Sequence, residues 1–281
     1  MVAHRKADRF RLHHVPPNVA SSIRGTALAL LLSASAFPAC TQNPLENPPV
    51  EPPTLIVDGH IALGALITLG DGHIRDVANG LQLLIESDVL RSNDWSTLHR
   101  ALTQLEKVTV PATLWAALPD GSYPTMVTGQ VEPMLPAPVT LAAVWKGESV
   151  IGKMVENSST SEKIALVALP VFDRDGSVAV ILGASIHLAE LSLRLRKEMS
   201  LDGHLIFYAF DSERRVALRS PQEGSWNGVE EAGDIDRLYT EASTRQQGIV
   251  RYRLQRQVRT FLYRQSPLND WWYALGAIHP E

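Results

Sequence analysis

Cysteine is all but missing from this sequence: Cys40 stands alone among 281 residues. One thiol excludes an intrachain disulfide and every zinc or iron–sulfur site built from several cysteines, so stability has to come from packing. Long hydrophobic runs are missing too. The apolar run Thr26 to Phe37 has twelve residues, where a membrane-spanning helix takes roughly twenty. The densest later run, "VAVILGA" at 178–184, is strand-sized. The chain also lacks a Gly-x-Ser-x-Gly elbow and a His-Glu-x-x-His pair, two common signatures of hydrolases. What is present is an ordinary globular composition, 45% hydrophobic and 20% charged, sufficient for one large or two small cores.

The N-terminal region reads as an export signal. Arg5, Lys6, Arg9, Arg11 and Arg24 precede the apolar run "TALALLLSASAF", the order of a secretory leader. Two processing routes fit. Ala34-Ser35-Ala36 offers a small-x-small cleavage site, whereas Phe37-Pro38-Ala39-Cys40 resembles a bacterial lipobox with Phe and Pro in place of the usual Leu and small residue. Lipidation of Cys40 is favoured over cleavage after Ala36, because a proline-rich stretch follows at once, with five prolines in residues 44–53. Such a segment acts as a semi-rigid spacer. Thr41, rather than Asp, beside the cysteine directs a lipoprotein to the outer rather than the inner membrane under the enteric sorting rule. Removing residues 1–39 takes five of 26 basic and one of 30 acidic residues, leaving 21 against 29 and a net charge of −8. That balance excludes nucleic acid as an electrostatic partner.

Beyond the spacer, apolar residues from Ile61 to Ile85 recur at three- and four-residue steps, which predicts a helix over 55–86 with an interruption near Gly70 to Gly72. A second helix is predicted from Asp94 over "DWSTLHRALTQLEKV". The texture then changes. "TLWAAL" and "YPTMV" flank the turn sequence Pro119-Asp120-Gly121-Ser122, and "KIALVALPVF" and "SVAVILGASIHL" flank Asp173-Arg174-Asp175-Gly176. The last two are nearly all apolar, as in strands covered on both faces. A helix over 187–199 leads to "GHLIFYAFD", "RVALRS", an acidic helical stretch, and the strands "GIVRYRL", "VRTFLYRQ" and "WWYALGAI". The order strand, strand, helix and three strands predicts an α+β fold with antiparallel sheets, repeated at about 111–187 and 204–279.

The long leading helix, "LPDGSY" at 118–123, "VALPVFDRDGSVAVILGASIHLAEL" at 167–191 and "GIVRYRL…SPLNDWWYALGAI" at 248–278 together resemble the double Cache domain. This is a PAS-like extracytoplasmic sensor of bacterial chemoreceptors, histidine kinases and cyclic-dinucleotide enzymes. The resemblance covers nearly everything after Leu55. It implies two PAS-like antiparallel-sheet modules on a long N-terminal helix, with a small ligand in the membrane-distal module, here the first. The expected organisation is a signal peptide at 1–39 and lipidated Cys40 with a linker at 40–54. The helix and first module follow at 55–200, and the smaller second module at 201–281. In the amino-acid-binding branch an Arg-x-Trp-Tyr motif clamps the ligand carboxylate and an acid takes its amine. Alignment on Trp145 puts Ala143 at the Arg, Lys146 at the Tyr and Ser185 at the acid, so amino-acid binding in that manner is not expected.

Strand alternation places Gly183, Ser185 and His187 on one face. Trp115, Tyr123, Trp145, Lys146, Ser185 and His187 are therefore the candidate ligand-binding residues, with the bland alternative that the tryptophans are core and that His187 only begins the next helix. "GESVIGKM" at 147–154 matches the phosphate-loop pattern but has Met154 where a magnesium-binding hydroxyl belongs, and a loop exposing Lys153 is the better reading. Asp-Gly-His occurs at 58–60, 71–73 and 202–204. His60 and His73 lie roughly 140° apart around a continuous helix, so no shared metal ion is expected. Arg251, Arg253, Arg256, Arg259 and Arg264 crowd the 248–264 hairpin. They read either as a patch for an anionic partner or, preferably, as a solvated face balanced by Glu230, Glu231, Asp234 and Asp236.

No cofactor and no metal are expected, and no catalytic residue is assigned. The sequence reads as a lipid-anchored, periplasmic sensor that binds a small molecule and signals to a partner protein, since no kinase, cyclase or methyl-accepting region is present. The alternatives are a periplasmic hydrolase, with the hydroxyl-rich "NSSTSEK" at 157–163 as its candidate region, and an architectural lipoprotein that mediates protein contacts.

Overall fold

A computed structural model describes residues 54–91, 95–122, 138–156, 162–201, 205–220, 228–254 and 257–280. The leader, Cys40 and most of the proline-rich spacer lie outside the described residues. Helix α1, Thr54–Glu86, has 33 residues and runs for about 50 Å. Leu63, Leu66, Ile67, Ile74, Val77, Ala78 and Leu81 form its buried stripe. The predicted interruption at Gly70 to Gly72 does not occur. The cost of glycine in a helix, about 1 kcal/mol per residue, is offset by what it permits here: a Cβ on Gly70 would stand 2.6 Å from the Tyr273 hydroxyl. Gly70 marks a close approach of sheet to helix, whereas Gly72 faces open space. A short α2 (Asp88–Arg91) and α3 (Trp95–Val108) follow, with Leu98 and Leu102 buried; the predicted start of the second helix at Asp94 lies outside the described residues.

The first sheet comprises β1 (Ala112–Ala117), β2 (Val150–Glu156), β3 (Lys163–Phe172) and β4 (Val178–His187). Their order is β1-β4-β3-β2, all antiparallel. The predicted turns form as read, with Gly121 and Gly176 both at positive φ. Pro170 sits in a central strand without harm because β2 pairs only as far as Ala168, leaving no ladder bond for its missing N–H. Between β1 and β2 lie two 3-10 turns, Pro138–Leu141 and Val144–Lys146; the predicted strand at 123–127 is outside the described residues. Helix α4, Leu188–Glu198, then leads to the second sheet.

That sheet holds β5 (Leu205–Phe210), β6 (Val216–Arg219), β7 (Gln247–Leu254), β8 (Gln257–Gln265) and β9 (Trp272–Pro280), with α5 (Gly228–Ala242) between β6 and β7. The order β6-β5-β9-β8-β7 is antiparallel throughout. One continuous core joins α1 to the inner faces of both sheets, through Val167, Leu182 and Ala184 of the first and Phe207, Tyr273 and Leu275 of the second. Each outer face carries its own cluster, beneath the 3-10 turns in the first sheet and beneath α5 in the second. This two-sided cover explains the near-continuous apolar runs of β3, β4 and β5.

Among the polar residues locked inside, Asp71, Asp234 and Arg259 tie elements together. Asp71 of α1 is 3% exposed and accepts hydrogen bonds from Ser266 Oγ at 2.8 Å and Tyr273 OH at 3.0 Å. Arg259 and Asp234 are both fully buried and pair at 2.5 Å between β8 and α5; Asp234 also accepts from the hydroxyls of Tyr208 and Tyr252. This corrects the reading of the arginine-rich hairpin as one solvated face. Arg251 and Arg253 are exposed on β7, but Arg259 turns inward beside Phe261 and Tyr263, and Asp234 is its partner rather than a surface counter-ion. Asp236 pairs with Arg214 at 3.2 Å, and Arg256 lies outside the described residues.

Truncating one member of a buried ion pair strands the other, so Asp234→Ala should cost about 3–5 kcal/mol in urea unfolding. The Asp71 carboxyl is pushed above its ordinary value by burial, against the lowering effect of its Ser266 and Tyr273 donors and of Arg75. The folded protein therefore takes up this proton before the unfolded chain does, and the Asp71 contribution to stability grows as pH falls towards the ordinary value of 3.8. The stability of wild type minus that of Asp71→Asn should widen in favour of wild type between pH 7 and 4; a gap that narrows contradicts the assignment.

Candidate functional site

The outer face of the first sheet brings several of the sequence-derived candidates together. In the β1–β4 pairing Trp115 stands opposite Gly183, and Thr113 opposite Ser185. The indole lies flat over the glycine: a Cβ at Gly183 would be 2.2 Å from its ring atoms. Trp115 Nε1 donates to Ser185 Oγ at 3.1 Å. Leu141, Val144, Leu166, Ala168 and Ile181 close round the ring, with Trp145 half-buried against them. Trp115 is 1% exposed and Ser185 fully buried, so both belong to the packed wall of this face.

The rim is polar. His187 is the N-cap residue of α4, and its ring bridges two elements, with Nδ1 3.0 Å from Glu162 Oε1 and Nε2 3.1 Å from Thr113 Oγ1. An ionised carboxylate only accepts, so Nδ1–H donates to Glu162 and, in the neutral ring, Nε2 accepts from the Thr113 hydroxyl. This end of the face thus carries a hydroxyl, an imidazole and a carboxylate in contact, with the buried indole behind them. Lys146 is exposed at the end of the second 3-10 turn, next to Gly147 in the left-handed region at φ 95°. Ala143, in the place of the clamp arginine, is the half-buried N-cap of that turn. Tyr123 lies outside the described residues.

Thr113 and Glu162 were not singled out by sequence. Thr113 carried a usable signal, since it shares Trp115's strand face; Glu162 lay in the hydroxyl-rich 157–163 segment, but nothing in the sequence linked it to His187, which it meets only through the pairing of Ile164 with His187.

The remaining motifs resolve plainly. Gly152 sits at φ 75° in a bulge of β2, where the register shifts between Ile151 and Lys153. The Gly-Lys pair of the phosphate-loop pattern is thus inside a strand; Lys153 is exposed as expected, but on β2 and not on a loop. The run before Gly147 is a 3-10 turn. His73 bonds Glu198 at 2.7 Å and His60 is exposed on the same helix, while residues 202–204 lie outside the described residues. Among the described residues no group of three or more metal-ligating side chains occurs, and no helix is long and apolar enough to cross a membrane. Most of the hydroxyl-rich 157–163 segment is outside the described residues.

The Trp115–Gly183 contact generates a direct test. Gly183→Ala should destabilise by about 1–3 kcal/mol through overpacking, and combining it with Trp115→Phe should recover part of the loss; strictly additive losses in urea unfolding would contradict the contact.

No family model matches this chain, and no curated protein matches it. Solved structures do. The extracellular domain of the histidine kinase rpHK1S-Z16 superposes with a TM-score of 0.59 at 12% identity, over 80% of this chain and 95% of that one. The structure described as methyl-accepting chemotaxis protein X gives 0.56 at 15%, over 80% and 98%. The ligand-binding domain of the Pseudomonas aeruginosa amino-acid chemoreceptor PctB, in complex with L-Gln, gives 0.51 at 17%, over 80% and 89%. At these identities the likeness is one of fold. The chain has the helix-mounted, two-sheet α+β architecture of extracellular sensor domains, as the resemblance to double Cache domains implied.

Proposed function

We propose that this chain is an extracytoplasmic sensor module that binds a small molecule on its first sheet, is held to a membrane by lipid on Cys40, and hands its signal to a partner protein. The observation that carries the reading is the mounting of two antiparallel sheets on one uninterrupted helix, shared with the extracellular domain of a histidine kinase and with a chemoreceptor ligand-binding domain. The modules divide at about residue 200, and the outer membrane is the proposed address of the anchor.

The ligand is not an amino acid held by the Arg-x-Trp-Tyr clamp, since Ala143 and Lys146 stand at two of its positions. Trp145 and His187, joined by Thr113 and Glu162, are the proposed binding groups, with Trp115 and Ser185 as the wall behind them and Tyr123 and Lys146 as further contacts. The described rim offers both donors and acceptors, which suits a polar organic ligand rather than a hydrocarbon.

One observation favours a second reading. The order hydroxyl, imidazole, carboxylate in Thr113, His187 and Glu162 is also that of an acyl-transfer triad. A metabolite thermal-shift screen on residues 41–281 separates the two. The sensor reading expects a saturable stabilisation without turnover, weakened about tenfold or more by Trp145→Ala or Ser185→Ala, a loss of about 1.4 kcal/mol or more. A hit that binds both variants with unchanged affinity contradicts the site. Turnover of a simple ester that disappears in Thr113→Ala assigns the chain to hydrolases instead. Cys40→Ser is expected to move the protein from the membrane to the soluble fraction with ligand binding intact.

A further inference from the structure

A cleft of about 670 Å³ opens on the second sheet, lined by Arg245, Gln246, Gln247, Arg264, Gln265 and Ser266 among others. It is far from the first-sheet site in sequence and uses none of its residues. Its walls are fixed by the backbone. Gln247 and Arg264 are cross-strand partners at the β7–β8 edge of the sheet. Gln265 N donates to Gln246 O at 2.8 Å, which ties the segment after α5 to the end of β8. The floor is tied to the long helix, because Ser266 Oγ donates to Asp71 and accepts from the backbone N–H groups of Leu268 and Asn269.

Arg264 is the unusual member. It lies half-buried on the β8 face that carries Leu262 and Ser266 towards α1, and its guanidinium passes 3.5 Å from where a Cβ on Gly64 would be. A guanidinium whose stem is packed against a helix keeps its head group available to water or to an anion. Among the described residues neither Arg264 nor Arg245 forms a salt bridge. Glu241 lies four positions before Arg245, but α5 ends at Ala242 and the two side chains do not pair. Asp71, behind Ser266, is turned inward with its oxygens taken by Ser266 and Tyr273. Two arginines and three glutamines thus line an open cavity in a chain whose net charge is −4.

We propose that this cleft is a second ligand site, selective for a small metabolite bearing an oxyanion, either carboxylate or phosphate. Arg264 and Arg245 supply the planar, multidentate donors that such groups take, and the glutamines supply donors and acceptors for the remainder of the molecule. The volume falls within the range of small-molecule pockets, about 300–1,000 Å³. Because Arg264 lies against α1 at Gly64 and Ser266 holds α1 at Asp71, occupancy of the cleft bears on the helix that both sheets share.

The test is calorimetric titration and thermal shift of the full chain with succinate, citrate and inorganic phosphate at constant ionic strength, with sodium chloride as the reference. Saturable stabilisation by at least one of the three is expected. Its dissociation constant should rise tenfold or more in Arg264→Gln and in the exposed Arg245→Gln, stay closer to wild type in Arg264→Lys, and not change in Ser185→Ala or Trp145→Ala. Saturation by succinate or citrate alone assigns a carboxylate ligand, saturation by phosphate alone a phosphate ligand, and saturation by both a site that reads only the oxyanion. A response no greater than that of chloride, or undiminished binding in Arg245→Gln, overturns the proposal. Loss of binding in Ser185→Ala with retention in Arg245→Gln also overturns it, by moving the anion to the first sheet and leaving the sensor reading intact.

Discussion

One helix has to satisfy two sheets at once. The buried stripe of α1 runs from Leu63 to Leu81 without a break, and the inner faces of both sheets close on it. Glycine makes this possible at defined points: Leu262 crowds Gly59, Tyr273 crowds Gly70 and Leu105 crowds Gly80. A side chain at Gly70 would collide with the buried Tyr273 ring, and one at Gly59 or Gly80 would force the facing leucine to repack. Asp71 fixes the axial position, because its two oxygens are taken by Ser266 and Tyr273 of the second sheet. The first sheet reaches the same region through the bulge at Gly152, where a Cβ would meet Asn269 from the β8–β9 connection and Ile74 of α1. Helix, first sheet and second sheet therefore meet around one turn of α1, and any displacement of either sheet is felt there.

The two modules use their outer faces differently. Behind the 3-10 turns the first sheet is covered by apolar side chains and an indole that donates to the Ser185 hydroxyl. Behind α5 the second sheet holds a buried carboxylate gripped by an arginine and two tyrosines. Burial drives Asp234 above the ordinary carboxylate range while Tyr252, Arg259 and Tyr208 work to lower it, so the cluster is held by mutual satisfaction rather than by hydration. A small molecule entering that second core would have to displace a charge already paired. The corresponding place in the first module has no buried ion pair among the described residues.

Much of the architecture was legible in the sequence because it rests on local rules. The Asp-Gly and Pro-Asp-Gly turns, the apolar runs of β3 and β4, and the strand–strand–helix–three-strand order of the second sheet all follow from periodicity and turn chemistry. Gly70 to Gly72 misled because local propensity argues for a break, whereas the residue that decides the matter, Tyr273, lies some two hundred positions away. Arg259 misled for the same reason. Its alternation with Phe261 and Tyr263 placed it on their face, but only the approach of α5 with Asp234 makes that face an interior for a charge. At the first-sheet site, period-2 alternation brought Gly183, Ser185 and His187 together, while the placing of Trp115 over Gly183 and of the Glu162 carboxylate beside His187 depends on long-range strand register.

The central claim is that this two-sheet frame holds a small molecule. Native mass spectrometry of residues 41–281 after incubation with a pool of soluble metabolites tests it most directly. The account predicts a discrete mass increment of one small molecule per chain, competed away by the purified compound. Bare protein mass across the whole pool, under conditions that preserve the fold, would contradict it.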